Sequence, residues 1–435
     1  MLNGGPSTVS APHIFGADWS PDGNRMALVR VVDGAQQIEF PAGKALYKTS
    51  GWLGSLRVSP DGNRIACVEH PVRHDDAGSV ITLDQAGNRQ ILSSGWLSLS
   101  GLTWKDSREI WFTGTRDGSP RSLWAVTTAG ILRAVGQAPG ILTLRDLAPD
   151  GRALVSLESR RLQIAGRIGT DQTDRDYSLT DWSRVQQLSD DGSLILFDES
   201  GEGAGPHPVS YVRNTRGGEV VRLGAGWAQG LMPDGASALL LSEDRKQLTV
   251  TPISGGSPRK LHDDGLVYQW VRIFPNGERL LALASVPGEP LKLYVRSWSG
   301  LTTVPLTSAL MVRNISISPD ERTVAALLPE GKLAFYPVSG GEPAFARQDE
   351  PLAPIRWSAD GKWLFVQHLD SRHSASAEVS KLNVATGEIV HWATIAPDPV
   401  GVNSITGIVI AGDERSYAYS YRRVLSELYI ATGWR

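Results

Sequence analysis

The chain has 435 residues, of which 41% are hydrophobic and 20% charged, with a formal net charge of −3. That balance supplies no electrostatic reason to expect nucleic acid or an anionic membrane as a partner. The single cysteine, Cys67, excludes an internal disulfide, and its place in the run Ile65-Ala66-Cys67-Val68 predicts a buried, inert thiol.

The chain opens with Met1-Leu2-Asn3-Gly4-Gly5, which has neither a charged n-region nor an apolar core, and no apolar run reaches membrane length. The expectation is a chain without a signal peptide, not inserted in a membrane, that stays in the cytoplasm. Residues 1–15 read as a lone outer strand ending in Ala11-Pro12-His13-Ile14-Phe15. Pro12 is tolerable on an edge.

A turn follows, and it keeps returning. Ser20-Pro21-Asp22-Gly23 recurs as Ser59-Pro60-Asp61-Gly62, then degenerately as Lys105-Asp106-Ser107. Looser copies start at Ala148, Ser189, Met232, Phe274, Ser318, Ser358 and Ala411, and the copies lie mostly 39 to 45 residues apart. Pro presets φ at the second position, Asp suits the third, and Gly takes the left-handed position that closes a hairpin. A strand must end before each turn and another begin after it. Runs such as Met26-Ala27-Leu28-Val29, Leu194-Ile195-Leu196-Phe197 and Leu280-Leu281-Ala282-Leu283 fit the second strand. Leu123-Trp124-Ala125-Val126 and Leu333-Ala334-Phe335-Tyr336 fit a third. Short strands at this period define an all-β fold, a β-propeller of about ten four-stranded blades. Ten exceeds the usual four to eight, so the chain forms either two tandem propellers or one large ring. The last unit, with Tyr417-Ala418-Tyr419-Ser420-Tyr421 and Leu428-Tyr429-Ile430-Ala431, lacks a fourth strand. The N-terminal segment is expected to supply it, with residues near Val9 beside Leu428-Tyr429-Ile430.

The residue before each of the first nine turns is apolar: Trp19, Val58, Trp104, Leu147, Leu188, Leu231, Ile273, Ile317 and Trp357. One step earlier it is polar or Gly, including Asp18, Arg57, Asp146, Gln187, Arg272 and Arg356. Side chains alternate along a strand, so the apolar set is expected between blades and the polar set toward a central channel. The polar set reads either as a solvated channel wall or, through Arg57, Arg272 and Arg356, as an anion site.

Trp52, Trp96, Trp182, Trp227 and Trp270 each precede an inner strand, where the chain crosses between blades. Connectivity puts them on the face opposite the hairpin turns, with the loops at 69–79, 199–209 and 368–380. His74, Glu199, Glu202, Arg372 and His373 lie in those loops. Aromatic anchors among polar loops suit recognition of a protein, peptide or small ligand, whereas seam plugs between blades would use the same residues.

Chemistry is sparse. His74-Asp75-Asp76 is a contiguous loop run without a distant partner for a metal, and Asp171, Asp174 and Asp176 lack the Gly and Glu of a calcium loop. No Gly-x-Ser-x-Gly elbow, kinase catalytic loop or phosphate-binding loop occurs, so no catalytic residue, metal or cofactor is expected. Acids and bases from separate blades meeting over a channel remain the enzymatic alternative, as does an accessory domain of a hydrolase.

Three segments carry a resemblance: 188–205, Leu-Ser-Asp-Asp-Gly-Ser-Leu-Ile-Leu-Phe-Asp-Glu-Ser-Gly-Glu-Gly-Ala-Gly; Ser50-Gly51-Trp52 running to Ser59-Pro60-Asp61-Gly62; and 416–426, ending Arg422-Arg423-Val424-Leu425-Ser426. The chain resembles, over nearly its whole length, the C-terminal TolB- and WD-like propeller region of bacterial serine/threonine protein kinases. The resemblance implies a non-enzymatic sensor or scaffold. The kinase signatures themselves are missing from this sequence.

Overall fold

The recurrent turn is held by its own side chains. In the computed structural model, Ser20 Oγ donates to Asp22 Oδ1 at 2.5 Å and accepts the Arg25 N–H at 2.9 Å. Ser59, Ser318 and Ser358 repeat both contacts. These bonds hold the Asp22 and Asp61 carboxyls below their ordinary pKa, the serine hydroxyl contributing most. Gly23 sits at φ 70°, the left-handed position expected. Glu321 and Glu414 occupy the same position at φ 60° and 55°. Each reaches back to the preceding turn, Glu321 accepting from Asn276 N at 2.7 Å and Glu414 from Ala359 N at 3.3 Å.

The structure describes residues 13–32, 34–72, 75–201, 204–299, 303–306, 314–348, 350–369 and 375–434. Every named element among them is a β-strand, and neighbouring strands pair antiparallel in four-stranded order from inner to outer edge. The chain divides into two compact units, Met1–Ser159 with Leu425–Arg435, and Arg160–Val424.

In the first unit three complete sheets begin at the inner strands Ile14–Trp19, Trp52–Val58 and Ser98–Asp106. A fourth joins Ile141–Leu147 to residues 153–159 and 425–431. Successive inner strands pack on one another, and apolar clusters fill the seams, such as Ala27, Val29 and Ile38 against Leu53, Val58 and Ile65.

The second unit closes. Five of its sheets start at Ser183–Leu188, Trp227–Leu231, Val267–Ile273, Ile315–Ile317 and Leu352–Trp357. The sixth is assembled from two distant stretches: Val402–Ile410 inside, then residues 417–424, then 160–167, then Arg175–Asp176. Its inner strand packs against those of the first and fifth sheets, which completes a six-bladed ring. A carboxylate locks the closure: Asp174 accepts from the hydroxyls of both Tyr417 and Tyr419 at 2.9 Å, and pairs with Arg167 at 3.1 Å.

Two expectations change here. The segment expected to close the last blade lies mostly outside the described residues, Val9 included, and Ile14 and Phe15 instead begin an inner strand. The C-terminal strand Tyr417–Ala431 has Ala153–Arg167 as a neighbour. Trp19, expected between blades, is 58% exposed; among the described residues its sheet is the first in the series, with none before it to pack on that face. Val58, Trp104, Leu188, Leu231 and Trp357 are buried as the alternation requires. Cys67 is buried, and desolvation pushes its thiol pKa up.

Candidate functional site

The six inner strands of the second unit surround a cavity of about 800 Å³. Gln187, Gln229, Arg272, Ser316, Arg356 and Ile408 supply one lining residue from each strand. The hairpin turns at Ser189, Met232, Phe274 and Pro319 also line it, so the cavity lies at the turn end of the channel. Long loops and blade crossings belong to the opposite end, where the Trp series was expected to mark recognition.

Much of the polar wall is committed to the seams. Gln187 Oε1 accepts the Leu231 N–H at 2.8 Å, and Gln229 Oε1 accepts the Val271 N–H at 2.7 Å. Gln229 Nε2 donates to the carbonyls of Trp227 and Ala228. The arginines keep spare donors. Arg272 Nη1 donates to the carbonyls of Gln229 and Val271 at 3.2 and 3.1 Å. Among the described residues no carboxylate pairs with it. Desolvation, and then the charge of Arg184, lower its pKa to about 10. Arg356 Nη1 meets Asp190 Oδ1 at 2.9 Å and the Ile410 carbonyl at 3.3 Å.

Behind the wall lies a buried carboxyl. Asp198 accepts from Ala228 N at 2.7 Å, Gln186 Nε2 at 2.8 Å and Ser210 Oγ at 3.0 Å. Burial outweighs these donors and pushes its pKa up to about 7. The sequence signal for it was available only as a charge inside an apolar run, Leu194-Ile195-Leu196-Phe197-Asp198. A second cavity of about 740 Å³ lies between the fourth and fifth sheets of this unit, with Phe335, Phe345 and Trp357 along it.

The residues expected to form the site are dispersed. Trp52 and Trp96 belong to the first unit, and Trp182, Trp227 and Trp270 to the second. Trp96 is buried, with Arg116 over its ring at 4.3 Å. Trp52 is half-buried and stacks on His70 at 3.7 Å. Trp227 and Trp270 pack against the apolar cores of the next seams, and Trp182 is half-buried with Arg422 over its ring. Trp96, Trp227 and Trp270 thus pack into apolar clusters, whereas Trp52 and Trp182 are half-buried. Glu199 is buried, accepting from Thr180 N at 3.3 Å and from the Ser183 hydroxyl, so it braces a crossing segment. His74, Glu202, Arg372 and His373 lie outside the described residues.

The polar series also divides. Gln187, Arg272 and Arg356 line the cavity of the second unit. Asp18, Arg57 and Asp146 belong to the first. Asp18 turns into a seam, where Oδ2 accepts the Val58 N–H at 2.7 Å. Arg57 donates to the carbonyls of Leu56 and Arg145, and Asp146 is exposed. Among the described residues no group of three or more His, Cys, Asp or Glu is placed to hold a metal ion.

Six four-stranded sheets around a channel make the second unit a β-propeller, and the first unit is built from the same four-stranded blades. No protein-family model matches the chain, and no curated protein matches it in sequence. Among solved structures the chain is similar to TolB from Agrobacterium tumefaciens, at 17% identity over 61% of this chain and 99% of that one, with a TM-score of 0.46. It is similar to the tricorn protease at 12% identity, over 98% of this chain and 59% of that one, TM-score 0.39. An oligogalacturonate lyase from Vibrio parahaemolyticus gives 12% identity over 58% and 76%, TM-score 0.41.

Proposed function

We propose that the chain is a non-enzymatic binding region, a sensor or scaffold that holds a protein, peptide or small ligand at the turn end of the second unit's channel. The observation that carries this reading is the cavity itself, to which all six inner strands contribute and in which Arg272 has no carboxylate partner among the described residues. A half-buried guanidinium without a counter-ion is partly desolvated at a cost, and a bound anionic group offsets it. The lining residues on the inner strands include Gln, Arg, Ser and Ile but no His, Cys or carboxylate, a composition suited to holding a ligand rather than to moving protons. The resemblance to kinase-linked propellers supplies the setting: the region would present its ligand state to a signalling partner.

A photo-crosslinking residue at Ser316, in the channel, tests the reading. The expected result is a discrete adduct from the cell extract of origin that Arg356→Glu abolishes and a crosslinker at exposed Val400 does not yield. An adduct pattern identical at both positions would defeat it.

A further inference from the structure

The reading of the channel as a binding site leaves the ligand's chemistry open, and the arginines narrow it. We infer that the channel of the second unit binds a carboxylate group, held between the guanidinium groups of Arg272 and Arg356, and this inference rests on the proposed binding function.

Three observations support it. First, Arg272 keeps N–H donors that make no hydrogen bond among the described residues. Gln187 and Gln229 direct their carbonyl oxygens at Leu231 N and Val271 N, and neither accepts from an arginine among the described residues. Among the described residues Arg272 hydrogen-bonds only backbone carbonyls, through one nitrogen, Nη1, and its guanidinium lies over the Trp270 ring at 5.8 Å. Its other nitrogens are the donors available to a ligand.

Second, the charge is uncompensated where it lies deepest. Arg184 and Arg272 repel one another, and the buried acid behind the wall, Asp198, has its pKa raised by desolvation and is turned toward Ala228, Ser210 and Gln186. Asp190 is the partner of Arg356, and it is an exposed rim residue. Asp191 and Asp234, also at the rim, set a negative collar that disfavours a polyanion over a singly charged group.

Third, the shape fits. A guanidinium is a planar fork that matches a carboxylate with two parallel bonds, and Ile315, Ile355 and Ile408 offer apolar surface for whatever carries that carboxylate. The group could come from a free organic acid or from the terminus of an extended peptide, and the chemistry recognised is the same.

Calorimetry on the full chain distinguishes these. The probes are glutarate against glutaramide, and tetra-alanine with a free against an amidated C-terminus, all at fixed ionic strength. The expected result is saturable binding of a free carboxylate form and none of its amide, weakened roughly tenfold or more by Arg272→Gln and by Arg356→Gln. Arg57→Gln, at the same strand position in the other unit, should leave the affinity unchanged. Arg272→Lys should restore part of it. Glutarate alone binding assigns a small acid, and the peptide alone binding assigns a chain terminus. Thermal melts of each variant guard against a folding defect, and Arg356→Gln serves if Arg272→Gln does not fold. Equal heats for acid and amide, no heat for either, or full affinity in both natively folded Gln variants would overturn the inference. If the Ser316 adduct forms and no carboxylate binds, the ligand chemistry is wrong and the binding function stands. If carboxylate binds and no adduct forms, the partner reading fails instead.

Discussion

Gln187 Oε1 accepts the backbone N–H of Leu231 at 2.8 Å, so the side chain two residues before the turn of one blade clasps the inner strand of the next. Asp18 makes the same clasp to Val58 at 2.7 Å in the first unit. The residue set read as a channel wall thus has a second task, satisfying backbone donors that blade packing would otherwise bury.

Replacing Gln187 by Leu should therefore destabilise the second unit by about 1–3 kcal/mol, the cost of leaving a buried N–H without an acceptor. Gln187→Glu, which keeps the acceptor, should cost less. Urea unfolding followed by tryptophan fluorescence measures both, and a Leu variant as stable as the parent would show that water replaces the clasp.

Asp198 should make stability depend on pH. Its folded pKa is raised to about 7 by burial, above the 3.8 of an ordinary aspartate. The native state then binds the proton more tightly than the unfolded chain, so its stabilising contribution is complete below about pH 4 and is lost as pH rises toward 7. Asp198→Asn should flatten the pH profile in this window and gain relative to the parent at pH 8. Denaturation midpoints at pH 5 and pH 8 decide it. A parent whose stability increases steadily across the window through this residue would contradict the assignment.

The closure of the second unit should depend on Asp174, which ties Tyr417 and Tyr419 to the strand pair formed by residues 160–176. The hydroxyl of Tyr417 is correspondingly hard to ionise, its pKa pushed up to about 12 by desolvation and by this carboxylate. Asp174→Ala should cost about 1–3 kcal/mol and open the sixth sheet to protease before the others. Limited proteolysis with mass mapping of the first cuts is the check, with early cleavage expected near residues 168–176.

Trp96 should behave as a core residue. It is buried against Phe112 and Trp124, and its Nε1 donates to Ser93 Oγ at 3.0 Å. Trp96→Ala should lower stability by about 3–5 kcal/mol while leaving ligand affinity per folded molecule unchanged. Affinity loss without a fall in melting temperature would return this residue to the recognition surface.

What could be read along the chain were the interactions that close within a few residues. The Ser-Pro-Asp-Gly turn is held by contacts two and five residues apart, so its ten copies announced the blades and the strand that follows each. The alternation before the turn likewise placed Leu188, Leu231 and Trp357 in the seams. The Trp series could not be placed in this way. Trp52 stacks on His70, and Trp96 meets Phe112 and Trp124, through contacts made when strands pair, and a Gly-Trp dipeptide reads alike on a surface and in a seam.

By itself the sequence determined an all-β chain of repeated four-stranded blades, because turn geometry and side-chain alternation are local. Tertiary structure alone decided how the blades are partitioned. Residues 160–176 pair with the strand that begins at Tyr417, across more than half the chain, and no local pattern encodes that choice of edge. It also decided which polar residues meet in one cavity. Arg57 and Arg272 occupy the same position in their repeats, yet only Arg272 lines the six-stranded channel with Arg356, because ring closure is a property of the whole set of blades.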